Sequence, residues 1–184
     1  MDVTMGPERL ITFAPLTVLL VLAATIDLRC RRIPNWLTLM IAATGLAQSC
    51  TPHGSVGPVT ALLGLAAGFG LTFGLFALGA VGGGDVKLLA GIGAWVGPAV
   101  FWIFVVEKLV GLAIVLMQCA WAGRLQTLWR NCLALLMNLA HVRVLGVDQA
   151  KAAGSAFRSV DRPMPYAVPV LLATLLVVFA WGIA

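Results

Sequence analysis

From Leu10 onward the chain is a series of long apolar runs separated by short polar or Gly/Pro-rich breaks. A hydrocarbon core about 30 Å thick asks for roughly 17–25 apolar residues in a helix, and the first run, Leu10 to Ile26, meets that length. It ends at Asp27-Leu28-Arg29-Cys30-Arg31-Arg32, which reads as a turn in water. A second, shorter run opens at Ile33-Pro34-Asn35-Trp36, where Pro suits a first helical turn, and stops at Thr51-Pro52-His53-Gly54-Ser55. The third covers about Val56 to Val81 and meets the break Gly82-Gly83-Gly84-Asp85. From Val86 to Gly123 there is apolar sequence for two crossings. Gly97-Pro98 is a better turn signal between them than Glu107-Lys108, although it leaves a short first arm. The final run is Tyr166 to Ile183. The pattern predicts six transmembrane helices.

Composition sharpens this into an all-α integral membrane protein. The 184 residues are 61% hydrophobic and only 10% charged, with mean hydropathy +1.02, too little polar surface to coat a soluble globule. With no internal repeat or low-complexity tract, residues 1–184 read as a single domain. A net charge of +5 raises nucleic acid as a partner, but in a membrane protein Lys and Arg first report orientation, and no nucleic-acid partner is expected. In the six-span topology Arg29, Arg31, Arg32, Lys87, Arg124, Arg130, Arg143, Lys151, Arg158 and Arg162 share the cytoplasmic side, and both termini lie outside. Residues 124–165, whose apolar centre Cys132 to Ala140 is too short to span, read as an interfacial helix and basic cytoplasmic loop. Asp2, Glu8 and Arg9 give no basic flank for a signal peptide, so the first helix is expected to remain uncleaved. Cys30, Cys50, Cys119 and Cys132 form no CxxC pair and read as small core residues. The six tryptophans read mostly as an interfacial belt.

In so acid-poor a chain, seven Asp and Glu in all, the topology puts two aspartates on one membrane face. Asp27 ends the first helix and Asp85 begins the fourth. Two carboxylates a few ångströms apart share a proton, so one serves as general base on water while the other polarises a scissile carbonyl. That chemistry needs no metal and no cofactor. The glycines before Asp85 leave room for an extended peptide, or a positive φ that turns Asp85 toward Asp27. Each feature also has a plainer reading: Asp85 as a helix cap, Asp27 paired with Arg29 to Arg32, and the glycines as a loose turn. Glu107 and Lys108 are ionisable groups within an apolar run, a functional signal in itself. As neighbours on a helix they do not face each other, so mutual neutralisation is not expected. His53 and His141 fall on opposite sides, so no metal site is expected.

The pair Asp27-Leu28-Arg29-Cys30-Arg31-Arg32-Ile33-Pro34-Asn35 and Gly82-Gly83-Gly84-Asp85-Val86-Lys87-Leu88-Leu89 closely resembles the type IV prepilin peptidases, membrane aspartic proteases with a GxGD motif. The resemblance runs from about Leu10 to Ala122 and thereafter rests on Pro165-Tyr166. It implies that Asp27 and Asp85 are the catalytic pair and that Gly82 and Gly84 are the motif glycines. Arg32, Pro34, Asn35, Gly83 and Lys87 then stand as substrate- or helix-positioning residues. It further implies cleavage of a short basic leader from a prepilin or pseudopilin, at the cytoplasmic face of a bacterial inner membrane. The short form resembles the peptidase-only branch of Flp (tight-adherence) pilus systems, which gives no ground to expect N-methylation. Two other classes remain open on the residues: a presenilin- or signal-peptide-peptidase-like intramembrane protease, and a non-enzymatic proton-coupled transporter or scaffold using Asp27, Asp85 and Glu107 as a relay.

Overall fold

The computed structural model describes residues 7–52, 54–77, 81–121, 123 and 166–180. The expected basic loop at 124–165, both histidines and the chain's last four residues lie outside them. Within the described residues the fold is helical throughout, without a strand. Its helices are α1 (Pro7–Cys30), α2 (Asn35–Ser49), α3 (Pro58–Ala77), α4 (Gly83–Val96), α5 (Val100–Trp121) and α6 (Ala167–Leu175), the last continuing through a π-helical turn, Leu176–Ala180.

Each apolar run of the sequence corresponds to one of these helices except Val86 to Gly123, which corresponds to two, α4 and α5, dividing where Gly97-Pro98 signals a turn. Gly97 has φ +62° and opens a short 3₁₀ turn, Gly97–Ala99. Only glycine takes that conformation without strain, and a Cβ there would also stand 2.8 Å from Thr60 Cγ2. Among the described residues, the stretches long and apolar enough to cross a bilayer are Ile11–Cys30, Pro58–Ala77 and Gly83–Gln118, the last running through the Gly97 break. This is a membrane protein. α2, with 15 residues, rises only about 22 Å, and Ala167–Phe179 is likewise short, so the described residues hold three long apolar stretches where the sequence pattern predicts six full spans.

α4 is the centre of the bundle. From Leu88 to Val96 every residue is buried, because α2 and α3 close over it and glycines let the backbones meet. A Cβ on Gly64 of α3 would lie 2.1 Å from the Gly93 carbonyl oxygen of α4, and one on Gly68 would lie 2.5 Å from that of Leu89. Small residues of this kind permit the contact that gives apolar helices a reason to associate within lipid, where hydrophobicity alone gives none. On the other side Gly45 of α2 makes room for the Trp95 ring. Trp95 is therefore not part of an interfacial belt: it is 2% exposed and its indole N–H donates to the Ile41 carbonyl at 2.9 Å. Trp36, Trp102 and Trp121 do face outward. Cys30 and Cys50 are exposed free thiols rather than core residues.

Candidate active site

Asp27 and Asp85 reach the same end of the bundle from opposite directions, one at the close of α1 and the other at the opening of α4. α1 extends past Asp27 to Cys30, so this carboxylate belongs to the last helical turn rather than to the loop. The chain then reverses within Arg31–Pro34. Arg31 takes φ 51°, rare for a residue with a Cβ, and its N–H donates to the Asp27 carbonyl at 2.8 Å. Pro34 is extended and stands just ahead of α2 as its N-cap, one position earlier than a first-turn proline.

The environment of Asp27 differs from the arginine pairing that the sequence allows. The side chain is 5% exposed, and among the described residues no ion pair joins it to Arg29, Arg31 or Arg32. Its Oδ2 instead accepts the backbone N–H of Ala167 at 2.9 Å. Ala167 is the first residue of α6, so an aspartate at the unfavourable C-terminal end of α1 is held by the favourable N-terminal end of another helix.

Asp85 is half-buried in the first turn of α4. Its Oδ2 accepts the Gly82 N–H at 3.1 Å, the reach-back half of a capping box, so Asp85 caps the helix from its third position while Gly82, not Asp85, is the N-cap. The glycines are less irregular than expected. Gly82 is extended (φ −77°, ψ 152°), while Gly83 and Gly84 are already helical, and none of the three has the positive φ that would turn Asp85. The reason is that α4 begins two residues earlier than the sequence signal, and a helical start already aims Asp85 inward. A Cβ on Gly84 would meet Ile33 Cβ at 3.6 Å, an ordinary contact, so the folded chain itself has room for one.

The two motifs are also tied directly. Lys87 Nζ donates to Asn35 Oδ1 at 2.9 Å, joining α4 to the start of α2. Arg32 is exposed at the rim.

Glu107 and Lys108 correct an expectation. Lys108 Nζ lies 3.1 Å from both Glu107 carboxylate oxygens. Adjacent Cβ atoms do diverge on a helix, but the four-carbon lysine stem is long enough to fold back. Burial supplies the incentive: Glu107 is 2% exposed, and an unpaired charge there would cost several kcal/mol, of order 3–5. The same ammonium donates to the Tyr166 hydroxyl and lies 5.1 Å from the centre of the Phe104 ring. Beside this cluster a pocket of about 340 Å³ opens between the end of α3, α5 and α6, with Leu75, Val81, Leu112 and Val115 in its apolar wall. Sequence reasoning did not assign Tyr166 or the Ala167 amide to the site. The available signal was slight: Tyr166 is the chain's one tyrosine and stands directly before the last apolar run.

Among the described residues no three His, Cys, Asp or Glu side chains converge as metal ligands. Neither the curated proteins nor the solved structures include a match to the chain. The type IV leader peptidase family matches residues 14–119, more than half of the chain and the part that carries both aspartates and the helices between them. With that match and the helical membrane architecture, the chain belongs to the type IV leader peptidase family, a family of peptidases.

Proposed function

We propose that this peptidase removes the short basic leader from type IV (Flp-type) prepilins or pseudopilins at the cytoplasmic face of a bacterial inner membrane, using Asp27 and Asp85 as an aspartic pair. The single observation that carries the reading is the convergence of these acids, 58 positions apart in sequence, on the same end of the bundle, one closing α1 and the other opening α4. Such a pair shares one proton. The ionised carboxylate takes a proton from water as it attacks the scissile carbonyl, and the protonated one donates to the carbonyl oxygen. Collapse of the tetrahedral intermediate returns a proton to the departing amine. The side chains supply every proton transfer, and no cofactor is called for.

Asp27 at the Ala167 N–H has a fixed orientation, whereas Asp85 has one oxygen on Gly82; both are thus oriented before substrate arrives, which favours reaction over rearrangement. The helical, half-buried setting of Asp85 leaves Gly82 exposed at the mouth, where an extended peptide can approach. The basic residues near the acids, with Lys87 and Arg32 exposed, fit a cytoplasmic site under the positive-inside rule.

Asp27→Asn and Asp85→Asn test this. Each amide keeps the shape and an acceptor for its N–H but no longer holds or passes the proton. Leader removal, followed as a gel shift of the pilin, is expected to fall by about 10²–10⁴-fold in each, at normal levels of membrane-inserted protein. Near-normal processing by either variant would refute the pair. A chelator is expected to leave cleavage intact, and clear inhibition would bring back a metal mechanism.

A further inference from the structure

Asp27 is held by a backbone N–H, and what holds that N–H in place is on α5. Ala167, the donor, is 1% exposed. The residue before it, Tyr166, is gripped at its hydroxyl by the Lys108 ammonium. Glu107 neutralises that ammonium. A buried acid, a lysine and a tyrosine thus converge on the first residues of α6, and the next peptide unit ends on Asp27. None of the three takes part in the proton transfers of the aspartic pair.

We infer that Glu107, Lys108 and Tyr166 are positioning residues that fix the start of α6, and through the Ala167 N–H the orientation of Asp27 for leader cleavage. The inference rests on the aspartic-pair reading for its link to catalysis, but its structural half stands alone. A buried ion pair is poor stabilisation compared with apolar residues of the same volume, and α5 and α6 already pack through Val106, Val170 and Ala173. What the pair adds over an apolar contact is direction: a three-donor ammonium and a hydroxyl fix the angle at which Tyr166 enters the helix, as knob-like apolar contacts do not. A small angular error at Asp27 matters, because displacement of a reacting group by 1 Å costs about 10²-fold in rate.

The test uses the full chain in bilayer discs with a prepilin peptide, reading kcat, KM and amide hydrogen exchange at Ala167. Tyr166→Phe removes only the hydroxyl and leaves the Glu107–Lys108 pair. Lys108→Met alone would strand a buried carboxylate, so the companion variant is Glu107→Gln with Lys108→Met, which removes both charges together. Each is expected to lower kcat about tenfold with KM within about twofold, the scale of one lost orienting hydrogen bond, and to speed Ala167 exchange. The three changes combined are expected to be no worse than the pair, since all act through one contact. Lys108→Arg, which retains a cation near Tyr166, is expected to keep most of kcat. Unchanged Ala167 exchange in both Tyr166→Phe and the charge-free pair would overturn the inference, and so would faster exchange with unchanged kcat. Asp27→Asn that still cleaves would instead sink the aspartic-pair reading, while Ala167 exchange would still decide whether the cluster holds α6.

Discussion

The α3–α4 contact makes the sharpest prediction, because it asks the same substitution to behave oppositely at two places on one helix. A methyl group on Gly64 would stand 2.1 Å from the Gly93 oxygen and 2.5 Å from Gly97 Cα, backbone atoms with no rotamer to change. Restoring an ordinary contact of 3.4 Å requires the helices to part by about 1.3 Å, and forced separations of this kind cost about 1–3 kcal/mol. α4 also carries Asp85, so the shift reaches the acid pair, and a displacement near 1 Å costs about 10²-fold in rate. A methyl group on Gly70 or Gly74 of the same helix would meet nothing within 4 Å, since both face away from α4. Gly64→Ala is therefore expected to lower unfolding stability in detergent by about 1–3 kcal/mol and prepilin cleavage by one to two orders of magnitude, whereas Gly70→Ala and Gly74→Ala leave both unchanged. Thermal unfolding read by circular dichroism, with cleavage normalised to folded protein, separates the two. If Gly64→Ala matches Gly70→Ala in both measurements, the backbone contact does not set the position of α4.

Gly84→Ala is expected to fold normally, since its methyl meets only Ile33 at 3.6 Å, yet to slow cleavage where the substrate backbone approaches, with Gly84→Val slower still; full processing by both at matched protein level would make the glycine mere filler. For topology, a reporter fused after Gly123 is expected to read as cytoplasmic and one after Ala184 as external, and both on the same side would remove the sixth span. Trp95→Phe, which deletes the buried N–H donor to Ile41, is expected to lower stability by about 1–3 kcal/mol with insertion intact; an unchanged unfolding transition would mean that bond contributes nothing.

The sequence by itself determined the class of protein, the helices' approximate places and the Gly97 turn, because these are read from local signals: run length against bilayer thickness, and glycine and proline at breaks. It also brought out Asp27 and Asp85, since a carboxylate in an acid-poor apolar chain stands apart. Tertiary structure alone decided which apolar surfaces are core. Inside lipid both the buried and the lipid-facing sides of a helix are apolar, so hydropathy does not distinguish Gly64 against Gly93 from Gly70 facing outward, or a buried Trp95 from an exposed Trp102. The partners of charge were hidden for a related reason. Asp27 is satisfied by a backbone N–H at position 167, a donor that every residue except proline carries and no residue type announces. Glu107 and Lys108 are neighbours whose pairing depends on the path of a flexible stem within the packed bundle, a choice made by the low polarity around Glu107 and the hydroxyl of Tyr166 arriving from the far end of the chain.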